Sequence, residues 1–243
     1  MIVKRIAILG LGLGLACGAA PLCAQNGSDI APNFVTIEPG RPHAEELDKA
    51  VKFLLNGKPA EAEKIFSKII ADFEAKHDPA VPYRCAYANT AKATIEHASK
   101  ALNGKAFILG GDVWCAALWG KGFALIDLGR SEEAGAFLAR SVEMAPLEAH
   151  YINEYAEWFK SRKDWKQSFA LFERAWSIAN RHTDDPNRRV TARSLRGIGF
   201  TLIELGDLDQ AEMWFKLSLD YEPEAAARVK GELDYIAVLR SKK

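Results

Sequence analysis

A spacing constrains this chain more than any single residue does. Gly122, Ala134 and Pro146 stand twelve residues apart, and Gly199, Ala211 and Pro223 repeat the interval near the C-terminus. Each time the small middle residue follows a turn marked by Gly129 or Gly206. Alanine 134 and Ser168 are 34 residues apart, so the pattern is periodic at the length of a helix–turn–helix unit. Such units cannot bury an apolar face alone; they stack.

A weaker copy precedes these. Ala50, Phe53 and Leu54 give one helical stripe, and Ala62, Ile65, Phe66, Ile69 and Ile70 give the next. Gly57 and Pro59 separate the two, suited to a helix end and a helix start. Glu46 and Lys49 occupy places that are apolar in the other copies. The spacing predicts helices over 113–128, 131–144, 148–161, 165–178, 189–205 and 208–219, with Asp112 and Asp164 as N-caps. A last helix over 224–240 is expected to cap the stack. Between Ser168 and Ala211 the interval grows by nine residues, placed as a connection at 181–189 with a turn at Asp185-Pro186. The stretch 78–111 is the least regular. Its alanine-rich run from Pro82 predicts one long helix ending at Asn103-Gly104, followed by an apolar cluster of Phe107, Ile108 and Leu109.

The N-terminus is of another kind. Lys4 and Arg5 precede a run over 6–20 that is apolar apart from its glycines, with small residues at Ala20 and Ala24. At about 15 residues the run is short of the roughly 20 needed to span a bilayer. The expected organisation is a secretory signal over 1–24, a flexible linker over 25–42 and a helical repeat domain over 43–243. Acylation at Cys17 is the alternative, weakened because Gly14 stands where lipoprotein signals carry a large aliphatic residue. The expected location is therefore exported and periplasmic, with no transmembrane span once the signal is cleaved. Taking Lys4 and Arg5 from the 32 basic residues leaves 30 against 32 acidic ones, a charge of −2. Nothing in that balance favours nucleic acid.

These repeats resemble the tetratricopeptide repeat (TPR) family. Leu118, Gly122, Leu125, Ala134, Leu138 and Pro146 fill the places of its pattern. Ile152, Ala156, Phe159, Ser168 and Phe172 continue it, and Leu195, Gly199, Leu202, Ala211, Phe215 and Pro223 close it. The resemblance implies an all-α, TPR-like solenoid of antiparallel helix pairs with a C-terminal capping helix. It also implies a concave surface lined by the first helix of each pair. On this register Trp119, Phe123 and Ile126, then Asn153, Glu157 and Lys160, then Arg193, Arg196 and Phe200 lie on that surface. Aromatics at one end and arginines at the other suit an extended peptide carrying an apolar residue and a carboxylate. Trp119 and Phe123 stand where members that bind chaperone tails need polar residues.

No motif for catalysis is present: no HExxH, no GxSxG, no glycine-rich phosphate loop. No catalytic residue, cofactor or metal ligand set is therefore expected. His43, His77, His97, His150 and His182 are scattered and read as solvated. Trp158, Phe159, Trp165, Phe169, Phe172 and Trp176 read as packing. The expected function is a non-catalytic adaptor that docks a protein or peptide partner in the cell envelope. The alternatives are an enzyme with scattered site residues and a lipid-anchored assembly component. Cys85 and Cys115 remain after signal removal. In an antiparallel hairpin they would lie roughly 20 Å apart, too far to bridge. As first helices of successive repeats their N-termini would be neighbours and a bridge is possible.

Overall fold

The computed structural model describes residues 35–87, 90–180 and 185–242. The expected leader, Cys17, linker residues 25–34 and residues 181–184 of the insertion lie outside them. Four helix pairs form the array: α1 (Ala44–Leu55) with α2 (Pro59–Glu74), α4 (Val113–Asp127) with α5 (Ser131–Met144), α6 (Ala149–Ser161) with α7 (Trp165–Ala179), and α8 (Asp185–Leu205) with α9 (Leu208–Tyr221). A 3₁₀ turn at Pro223–Ala225 leads into α10 (Ala226–Ser241), which packs on α9 and closes the stack. Between α2 and α4 lies α3 (Ala91–Ala101). Helix α8 begins at Asp185, so the part of the expected connection from Asp185 onward is helical instead. Proline 186 falls in its first turn, where its missing N–H has no partner to lose.

The twelve-residue spacing has a direct cause in the packing. A Cβ on Gly122 would stand 2.7 Å from Cγ of Leu138, and one on Gly199 would stand 2.8 Å from the Phe215 ring. Each glycine thus admits a large residue from the second helix of its own pair. Ala62, Ala134, Ser168 and Ala211, the small second-helix residues, are fully buried. Gly57, Gly129 and Gly206 adopt left-handed φ at three of the turns, and Lys163 does so at the fourth. Asp164 and Asp207 cap their helices by accepting from the backbone N–H groups of Gln167 and Gln210. Asp112 makes no such cap; both its oxygens are engaged by Arg41, at 2.8 and 2.9 Å.

The irregular stretch departs from expectation. Tyr83–Cys85 (β2) is a strand, not the start of a long helix, and Phe107–Gly110 (β3) is a strand as well. Val35–Ile37 (β1), within the expected linker, completes a parallel sheet in the order β1-β3-β2. Helix propensity yields here to burial. Tyr83 and Cys85 are buried against α4 and α5, and a parallel sheet needs both faces covered. On one face Phe107 and Leu109 pack with Ala98 of α3; on the other, Tyr83, Cys85 and Ile108 join the core of the repeats.

Polar contacts hold β1 in place. Glu38 accepts from the Tyr83 hydroxyl at 2.7 Å and lies 3.2 Å from Nε2 of His77. His77 is therefore not solvated as expected: its Nδ1 meets the Phe73 carbonyl at 2.7 Å, and its ring packs on Phe73 and Trp114. The Tyr83 phenol reaches Glu38 by crossing Gly110, where a Cβ would fall 1.6 Å from its oxygen. Gly110→Ala is expected to eject the phenol and cost about 2–3 kcal/mol, read as a lower midpoint in urea unfolding.

Candidate interaction surface

The first helices α1, α4, α6 and α8 form one layer of the array, with α1 beside α4 and α6 beside α8. Their periodicity sets which side chains share a face. On α4 that face carries Trp119, Phe123 and Ile126. Trp119 stacks on Tyr151 at 5.8 Å, lies 4.9 Å from His150, and meets Phe123 at 6.0 Å. Trp119 and Phe123 are part-buried, and Ile126 is 37% exposed. The indole N–H of Trp119 is buried with no hydrogen-bond partner. His150, part-buried, flanks this aromatic surface, and Tyr151, only 3% exposed, backs it from the core. Sequence reading omitted them because their neighbour lies on another helix.

The polar half of the expected site is arranged differently. Asn153 is fully buried, donating from Nδ2 to the Val190 carbonyl and accepting from the Ser194 hydroxyl. It fastens α6 to α8. Arg193 grips Glu154 with two hydrogen bonds, at 2.5 and 3.1 Å, and Glu154 is only 7% exposed. Burial lowers the Arg193 pKa, and the hydrogen bonds and charge of Glu154 more than offset it. Arg196 pairs with Glu222 at 2.6 Å. Lys160 pairs with Glu157 and lies 4.8 Å from the Phe200 ring. The expected carboxylate-binding end is thus corrected: its cations are neutralised by the chain's own acids. At the apolar end Ile126 remains exposed.

Of the other aromatics, Phe172 is fully buried and the Trp158 indole donates to the Ser131 carbonyl at 2.8 Å, as packing residues do. The inserted sheet reaches this surface through Tyr87, whose hydroxyl meets that of Tyr151 at 3.2 Å. Beneath it Cys85 and Cys115 are bridged, with Cα atoms 6.3 Å apart. The bridge joins a strand to a helix start, a geometry neither sequence alternative contained. The pocket over it, lined by Tyr87, Thr90, Asp112, Glu148 and Tyr151, has room for about one water. Burial raises the Glu148 pKa there. Among the described residues no group of three or more His, Cys, Asp or Glu is placed to hold a metal, and no helix is long and apolar enough to cross a membrane.

Burial against Trp119 and Tyr151 also lowers the His150 pKa below its ordinary 6.5. The folded state then binds fewer protons than the unfolded chain just below that value. The His150 contribution to stability is present above pH 6.5 and is lost as pH falls through the folded pKa. His150→Gln is expected to flatten this part of the stability–pH curve, measured by urea unfolding between pH 7.5 and about 5.

Stacked antiparallel helix pairs with an apolar inner face define a helical-repeat scaffold. Two tetratricopeptide repeat models match within the chain, over residues 116–146 and 146–221. Among solved structures it is similar to a putative kinesin light chain with TPR-like repeats from Podospora anserina (TM-score 0.58, 12% identity, 83% of this chain and 87% of that one). It is also similar to PilF of Pseudomonas aeruginosa (TM-score 0.55, 12% identity, 82% and 68%). A third is MamA of Desulfovibrio magneticus RS-1 (TM-score 0.53, 13% identity, 83% and 87%). At these identities the likeness is one of fold. No curated protein matches the chain.

Proposed function

We propose that this protein is an exported, non-catalytic interaction scaffold that docks a protein or peptide partner on the inner face of its TPR solenoid. The observation that carries the reading is the aromatic surface of Trp119, Phe123 and Ile126, flanked by the part-buried His150 and backed by the buried Tyr151 of the next repeat. With Arg193 and Arg196 closed by Glu154 and Glu222, the partner is recognised by an apolar segment rather than by a terminal carboxylate. Two features support export: the basic and apolar leader over 1–24, and the Cys85–Cys115 bridge, which suits an oxidising compartment such as the periplasm. Anchoring at Cys17 is the second form of the same reading.

Mass analysis of the mature N-terminus tests export. Cleavage after Ala24 supports a free periplasmic protein, acylation at Cys17 supports an anchored one, and an intact leader contradicts both. For docking, Phe123→Ala with Ile126→Ala removes apolar contact while leaving Trp119 in place. The doubly substituted chain is expected to lose the envelope proteins that the wild-type chain captures, with little change in the melting curve. Undiminished capture of the same partners rules the surface out.

A further inference from the structure

Glycines inside the helices of this chain share one cause, with a single exception. At Gly120, Gly122, Gly135, Gly197 and Gly199 a Cβ would stand 2.4–2.8 Å from a side chain of another helix: Phe66, Leu138, Trp158, Phe172 and Phe215 in turn. Each of these glycines is the receiving side of a close approach. Gly231, in the middle of α10, receives nothing: a Cβ there would meet no atom within 4 Å. Its φ is not left-handed, so no turn requires it. Glycine is unfavourable relative to alanine inside a helix, and no contact within the described chain accounts for it here.

The same helix is apolar on two sides. Val229 and Ile236, each 1% exposed, enter the core, and Leu233 and Leu239 pack beside them. Arg240 ties α10 to Asp209 and Glu212 of α9, both at 2.5 Å. Away from the core, Ala227, Gly231, Tyr235 and Val238 recur at three and four residues and share a face. All four are exposed, Tyr235 by 49% and Val238 by 47%. The helix that ends a repeat array ordinarily turns a polar face to solvent. This one turns a stripe that is small in its N-terminal half and large in its C-terminal half. An exposed ion pair borders the stripe, Lys230 with Asp234 at 2.5 Å.

We infer that the outer face of α10 is the contact through which two copies of this chain form a two-fold dimer. Laid antiparallel about an axis near residues 232–233, the stripe is complementary to itself. Ala227 comes opposite Val238 of the second copy, and Gly231 comes opposite its Tyr235. Each large side chain then meets a small residue, and the absent Cβ of Gly231 admits a tyrosine ring as that of Gly135 admits Trp158. In the same register Lys230 of each copy lies beside Asp234 of the other, so the charges bordering the stripe are opposite in sign across the axis. Such a contact makes every interaction twice and closes on itself. From Ala227 to Val238 the stripe is about 16 Å long. One helix width of contact is small for an interface, so the dimer is weak and is populated by concentration. The contact is independent of partner docking on the aromatic surface of α4.

Sedimentation equilibrium of the full mature chain over rising concentration tests this. A monomer–dimer equilibrium that does not grow further is expected. Gly231→Gln should weaken it by about tenfold or more, because the longer side chain fills the place of the opposing tyrosine. The melting temperature of the dilute variant should hold or rise, since glutamine is the better helix former and the position is open. A charge exchange reads the register. Lys230 and Asp234 have side chains 73% and 64% exposed, so either can be replaced without disturbing the core. Lys230→Asp and Asp234→Lys should each self-associate less than wild type, because like charges then face each other across the axis. Mixed together, the two variants should form a heterodimer at least as tight as the wild-type dimer, because both facing pairs are again opposite in sign. A chain that stays monomeric at every concentration overturns the inference, as does growth beyond the dimer. Association undiminished in Gly231→Gln, or a mixture no tighter than its separate components, also overturns it.

Discussion

Cys85→Ala combined with Cys115→Ala is expected to lower the stability of the oxidised protein by about 3–4 kcal/mol. The bridge closes a separation of 30 residues, and cross-linking a loop of that size restricts the unfolded chain by about this amount. Cys115 sits in the first turn of α4 and is fully buried, while Cys85 lies on β2. The bridge therefore fastens the inserted sheet to the second repeat. The buried cluster that the insertion owns is small: Ala98, Phe107 and Leu109. Urea unfolding gives the stability, and hydrogen exchange at the amides of β3 gives the location. Reduced wild type should match the double variant on both measures. An unchanged unfolding midpoint would mean that the sheet is held by packing alone.

The second large effect is expected at Phe172. It is fully buried on α7, and its ring fills the space over Gly197 of α8, where a Cβ would stand 2.5 Å away. It thereby joins the third pair to the fourth. Phe172→Ala should cost about 3–5 kcal/mol, because α8 cannot collapse into the cavity without unpacking. In a repeat array such a loss falls on the interface between neighbours. Unfolding should separate into two transitions, with α8–α10 melting first, detectable by comparing Trp214 fluorescence with total helical signal. A single transition with a small shift would show that the interface is carried elsewhere.

How much of this was legible in the residues depends on the range of the contact. Helices α4 to α7 follow expectation closely, because local periodicity, Gly129 and the Asp164 cap define them. The sheet was hidden. Its strands are three or four residues long, and β1 pairs with β3 across an intervening helical repeat. No short window of sequence contains that pairing, and the alanines after Cys85 favour helix locally. The bridge was left undecided for the same reason, since it hinged on the path of this stretch. That Trp119 and Phe123 share one face of α4 was legible, because helical spacing suffices. Spacing misled at Arg193 and Arg196, whose partners Glu154 and Glu222 come from other elements. A charge that is free in sequence can be neutral in the fold.

The central claim is that the partner docks on the aromatic inner face and not on the outer helices. Site-specific photo-cross-linking in the native envelope tests it most directly. A photoreactive residue replaces Phe123 on α4 or, as the comparison, Met213, which is exposed on α9. The account predicts a discrete cross-linked protein from position 123 and none from position 213. Cross-links from position 213 with none from position 123 would contradict it.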